Sequence, residues 1–105
     1  MAQLQIPRRQ AQTLVQIGVS VPSLLRDCTG DQTRFSLEAA TLQEALHKLL
    51  TTYPLLRLHL YDEAERLRKH VLLYYNEQNI TWLDRLDVPL RPGDRLAVLQ
   101  NVSGG

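Results

Sequence analysis

The chain has 105 residues, 44% of them hydrophobic and 22% charged, the balance of one compact domain with a solvated surface. Twelve Lys and Arg against eleven Asp and Glu leave a formal charge of +1, which removes the electrostatic case for nucleic acid, a membrane surface or a polyanionic substrate. A single cysteine, Cys28, excludes an internal disulfide and a Cys-rich metal site, so a reducing cytoplasm is the simplest expected location.

Residues 1–13, "MAQLQIPRRQAQT", are polar and Gln-rich and read as a leader with the composition of a disordered segment. They lack the apolar h-region of a signal peptide, and no later stretch approaches the roughly eighteen apolar residues of a membrane span. Neither export nor insertion is expected. From Leu14 the pattern changes: Val15, Ile17, Val19 and Val21 alternate with Leu14, Gln16, Gly18 and Ser20, which predicts a first strand ending at Pro22. After the turn-rich "DCTGDQ", Phe35, Leu37 and Ala39 alternate with Arg34, Ser36 and Glu38, a second strand returning antiparallel as a long-looped hairpin.

"TLQE" then opens a helix. Thr41 can accept from the N–H three residues on while Glu44 reaches back, and Leu42, Ala45, Leu46, Leu49, Leu50 and Tyr53 form one apolar stripe. Pro54 ends it, giving a helix over about Thr41 to Thr52. Residues 55–69 fit no regular element, and "YDEAERLR" within them has the polarity of a solvated turn or hairpin tip. "HVLLYYN" predicts a strand, "NEQN" a turn, "LDRLDVPLRPGDR" a short turn of helix followed by a Pro-Gly turn, and "RLAVLQ" the last strand. The order is β-β-α-β, an irregular connection, and β: an α+β domain with one main helix across a sheet of four to five strands.

Candidate chemistry inside this domain is sparse. Cys28 falls in an inter-strand turn with no signalled base, and His47, His59 and His70 lack metal-ligand spacing, so no metal site is predicted. Asp84, Asp87 and Asp94 stand where turns use Asp for local hydrogen bonds. "RPGDR" is no phosphate loop, and the basic run Arg66 to His70 reads as a solvated face. No catalytic constellation emerges, and the chain reads as a non-enzyme with no bound cofactor.

The sequence ends in "NVSGG". A terminal Gly-Gly arises by chance in roughly 0.5% of chains, so the pair decides nothing alone. Together with the β-β-α-β-β order, however, the stretch "LYYNEQNITWLDRLDVPLRPGDRLAVLQNVSGG" resembles the ubiquitin-like sulfur carriers of the MoaD/ThiS group, from about Leu14 to Gly105. "LDVPL" is nearer to the branch serving cysteine or secondary-metabolite sulfur assembly, whereas "VSGG" suits a molybdopterin synthase small subunit equally well. The resemblance implies a β-grasp fold with a mixed sheet over 14–100 and a flexible tail over 101–105. It also implies that an E1-like adenylyltransferase uses ATP to adenylate the Gly105 carboxylate, which becomes a thiocarboxylate that donates sulfur. Gly104, Ser103 and Val102 would help insert the tail into the partner, where residues without Cβ allow close backbone approach. A sulfurtransferase or sulfur-accepting synthase and a JAMM-type metalloprotease are the further partners implied. Two other roles share the sequence features: a ubiquitin-like modifier conjugated to lysine through Gly105, and a binding module whose Gly-Gly is incidental.

Overall fold

Alternating branched and small or polar residues form β1 (Val15–Ser20), where Ile17 and Val19 are buried and Gln16 and Gly18 are exposed. The computed structural model describes residues 14–100, and the expected leader and tail lie outside the described residues. β2 (Arg34–Ala39) returns antiparallel, with Val15 opposite Ala39 and Ser20 opposite Arg34. The connection between them is more built than a turn. Ser23–Thr29 form a 3-10 helix that buries Leu25 and Thr29, and Gly30 and Asp31, at φ of 65° and 67°, reverse the chain after it.

α1 (Leu42–Thr52) begins as its sequence requires, with Thr41 Oγ1 accepting from the Glu44 N–H at 3.1 Å. The Glu44 carboxylate reaches one residue further back than a capping box needs and accepts from the Ala40 N–H at 2.7 Å. The next two free donors of the helix find partners far along the chain: the Leu42 N–H donates to the Val88 carbonyl at 2.9 Å and the Gln43 N–H to that of Leu86 at 2.7 Å. The "LDVPL" stretch is therefore a strap across the start of α1. Leu42, Ala45, Leu46 and Leu49 are buried along the predicted stripe, and Leu50 and Tyr53 pack against the core from its margin.

Pro54 does more than end α1. It is the first residue of α2 (Pro54–Leu60), where its fixed φ suits the helix and its missing N–H would have had no helical partner. Leu56 and Leu60, one turn apart, are buried in the same core as α1, so α2 is a second, short helix packed against α1 and the 3-10 helix over Ser23–Thr29. Tyr61 then bridges to Leu67, and the Asp62 carboxylate accepts from the N–H groups of Ala64 and Arg66, both at 2.9 Å, closing the solvated tip expected of "YDEAERLR".

β3 (Val71–Tyr75) follows. Only the first half of "NEQN" makes the predicted turn, with Asn76 at φ 57°, and Gln78–Asn79 form the short strand β4. The helical turn expected within "LDRLDVPLRPGDR" lies just before it, as a 3-10 turn over Ile80–Trp82 capped by the Asn79 side chain accepting from the Thr81 N–H at 3.0 Å. Residues 83–90 instead form the strap, held by the bridge from Thr41 to Pro89. β5 (Arg95–Gln100) inserts parallel to β1 and antiparallel to β3, giving the order β2-β1-β5-β3-β4. First and last strands are central neighbours, and the five-stranded mixed sheet is the β-grasp arrangement.

Candidate functional site

The residues expected to react or to insert into a partner, Gly105, Gly104, Ser103 and Val102, lie outside the described residues. The structure shows the strand that precedes them in the chain, β5. β5 is flanked on both sides, and its last residue, Gln100, pairs with Val71 at the start of β3. A strand bonded on two edges cannot slide, so the point where the chain leaves the sheet is fixed.

The other end of β5 is held by Asp94. Its carboxylate accepts from the Tyr75 hydroxyl at 2.6 Å, the Arg91 N–H at 2.9 Å and the Asn76 amide at 3.3 Å. Its carbonyl accepts from the Gly18 N–H at 2.9 Å, tying the same residue to β1. Asn76 completes the clamp, donating its N–H to the Arg95 carbonyl and accepting from the Arg95 N–H through its side chain, at 2.8 and 2.9 Å. Partial burial works against the charged carboxylate, yet the donors and the nearby Arg91 outweigh it and the Asp94 pKa is lowered. Burial, then the Asp94 hydrogen bond and charge, push Tyr75 up to about 12. "RPGD" supplies the turn: Gly93 sits at φ 90°, and the Asp94 N–H donates to the Arg91 carbonyl at 3.0 Å. Sequence identified Asp94 as turn chemistry but not Tyr75 and Asn76, whose contact with it spans 19 and 18 positions.

α1 packs on one face of the sheet with α2 beside it, and no described helix covers the other. On the open side Leu72 stands opposite Leu99, and Tyr74 opposite Ala97. Beside them a shallow depression of about 370 Å³ lies over Gly18, Ser20 and Ala97, with Arg34 and Arg95 among its lining. Arg95 also pairs with Glu77 at 3.4 Å.

The remaining candidates do not assemble. Cys28 is half-buried, and burial first, then the neighbouring Asp27, raise its pKa, which disfavours the nucleophilic thiolate. His47, His59 and His70 are exposed on separate elements, and among the described residues no three His, Cys, Asp or Glu side chains cluster to hold a metal. Asp87 forms a two-pronged exposed pair with Arg85, at 2.7 and 2.8 Å. No helix among the described residues is long and apolar enough to cross a membrane.

Residues 19–105, which include both the Asp94 clamp and the Ser-Gly-Gly end, match the ThiS family. The chain belongs to the ThiS family. Over 91 residues it is 29% identical to the sulfur carrier protein CysO of Mycobacterium tuberculosis, covering 85% of this chain and 98% of that protein. Within the crystal structure of the Amycolatopsis orientalis BexX/CysO complex, one chain matches with a TM-score of 0.69 and 27% identity over 85% of this chain and 99% of its own length. Small archaeal modifier protein 1 from Methanosarcina acetivorans has the same TM-score, 0.69, at 23% identity over 89% of this chain and 99% of that one, a likeness of fold. This ThiS-family member is thus a ubiquitin-like β-grasp domain whose similarity to the carriers runs over nearly the whole of their length.

Proposed function

We propose that this chain is a sulfur carrier whose reactive group is the Gly105 carboxylate, acting as a substrate of partner enzymes rather than as an enzyme. The observation that carries this reading is the family match running through Gly105, joined to the similarity with a sulfur carrier over 98% of that protein. The chemistry needs no catalytic group of the carrier beyond its terminal carboxylate. A carboxylate is a poor electrophile, but an α-carboxyl with an ordinary pKa of about 3.3–3.7 is ionised at neutral pH and can attack phosphorus. One carboxylate oxygen attacks the α-phosphorus of ATP in an E1-like partner, pyrophosphate leaves, and an acyl-adenylate forms. A sulfide nucleophile then forms the carbon–sulfur bond as the carbon–oxygen bond to AMP breaks, leaving a thiocarboxylate for a sulfur-accepting synthase. A JAMM-type metalloprotease fits the same scheme as the enzyme that releases the carrier when its sulfur has been passed on through an acyl adduct.

The test is ATP–pyrophosphate exchange with an E1-like adenylyltransferase that accepts the parent chain, followed by intact mass with a sulfur source. Deleting Gly105 should abolish both adenylate and thiocarboxylate, and Gly104→Val should impair them by placing a β-branched side chain where backbone must approach closely. A Gly105-deleted chain activated at the parental rate would remove the terminus from the mechanism. A parent chain recovered as a lysine-linked adduct, in place of the sulfur-for-oxygen mass change, would make it a protein modifier instead.

A further inference from the structure

The chain contains one tryptophan, Trp82, and it is 73% exposed. Tryptophan is the side chain with most to gain from burial and the one most enriched among residues that dominate protein interfaces. Its place in the fold is specific. β4 runs antiparallel to β3 with Asn79 opposite Tyr74, so the 3-10 turn that continues from Asn79 heads back along β3 toward Val71. Val71 is the partner of Gln100. Ile80 anchors this turn in the core and leaves Trp82 outside it. With neighbouring strands about 4.8 Å apart, the turn stands roughly 10 Å from β5, at the end from which the chain continues to Gly105.

The length of that continuation limits who can meet Trp82. Five residues follow Gln100, and fully extended they reach at most about 18 Å. A protein that takes the Gly105 carboxylate into an active site must therefore press its surface onto this end of the sheet. Two apolar features are waiting there: Trp82, and the cross-strand pair Leu72 and Leu99, of which Leu99 is 46% exposed. We propose that Trp82 is the anchor by which the adenylating partner holds this chain, seated in an apolar pocket beside the channel that receives the tail. Trp82 is a positioning residue: it touches no reacting atom and acts by fixing the distance between the sheet and the adenylation site. This rests on the carrier reading above, and it adds a side chain on which specificity for one partner depends.

The probe is an E1-like adenylyltransferase that supports ATP–pyrophosphate exchange with the parent chain. Trp82→Ala should raise the KM for the carrier roughly tenfold or more with kcat at saturation little changed, and Trp82→Phe should recover most of the loss. Because the chain has a single tryptophan, 5-fluorotryptophan labels that site alone, and its fluorine resonance should shift when the enzyme is added to the full chain. The resonance measurement decides the matter even if the alanine variant folds poorly. A KM within about twofold of the parent for a folded Trp82→Ala, or an unmoved fluorine resonance at saturating enzyme, overturns the proposal while the Gly105 chemistry stands. Exchange that persists without Gly105 brings down the carrier reading and this inference together. A parent chain that dimerises through Trp82, seen as concentration-dependent mass lost in Trp82→Ala with KM unchanged, overturns it in favour of a second copy as occupant.

Discussion

The carboxylate of Asp94 gathers donors from two separate stretches of chain, Tyr75 and Asn76 at the end of β3 and Arg91 at the start of the "RPGD" turn. Hydrogen bonds to a charged acceptor are worth about 1.5–3 kcal/mol, so Asp94→Ala should destabilise the domain by about 2 kcal/mol, read from the denaturation midpoint. The lowered Asp94 pKa means that the folded state binds this proton less readily than the unfolded chain. Its contribution is therefore present above the ordinary value of 3.8 and is lost as pH falls through the folded pKa, which places it on the acid limb of the stability profile. Tyr75 acts in the opposite direction. Its raised pKa favours the protonated phenol, so its contribution holds below 10.0 and is lost as pH rises toward about 12. Tyr75→Phe should flatten the alkaline limb and also weaken the acid limb, because the Tyr75 hydroxyl is the strongest of the donors that lower the Asp94 pKa, a result that stability measured across pH would check.

At the scale of elements, α1 combines local and distant instructions. Leu46 is 7% exposed in the middle of the buried stripe, and Leu46→Ala should cost about 2–5 kcal/mol. Thr41→Ala should cost about 1 kcal/mol, because only the bond to the Glu44 N–H is lost while Val88 and Leu86 still satisfy the next two donors up the chain. Chemical denaturation of both variants would show whether the two losses rank in that order. The period-two alternation of β1 and β2 and the helical stripe of α1 were legible in sequence because each buries a single face. α2 was not. Its seven residues hold only two buried positions, Leu56 and Leu60, and the exposed Leu55 and Leu58 between and beside them erase the stripe, while Pro54 carries the same sign whether it stops one helix or starts the next. The strap over residues 83–90 was hidden for another reason: its backbone bonds go to α1, more than forty positions earlier, and no local pattern encodes a partner so distant. The Ser-Gly-Gly end was legible as a motif, whereas the importance of Trp82 appears only when its exposure and its end of the sheet are known.

For the molecule as a whole, the core formed by the described residues runs from Ile17 to Val98, so removing Gly105 takes away none of its side chains. The Gly105-deleted chain should melt within about 1 °C of the parent, since chain ends make few contacts, and scanning calorimetry would measure it. On the proposed carrier reading, function and stability are separable at that end of the chain, but not one strand earlier. β5 is bonded to β1 on one side and to β3 on the other, and among the described residues no other strand joins the β1–β2 hairpin to β3 and β4. Until β5 is synthesised the two halves of the sheet have nothing between them, and each has an open edge. On the ribosome the sheet therefore cannot close until β5 has emerged. A product that stops short of β5 lacks Leu96 and Val98 from its core and should be cut by proteases far more readily than the finished protein.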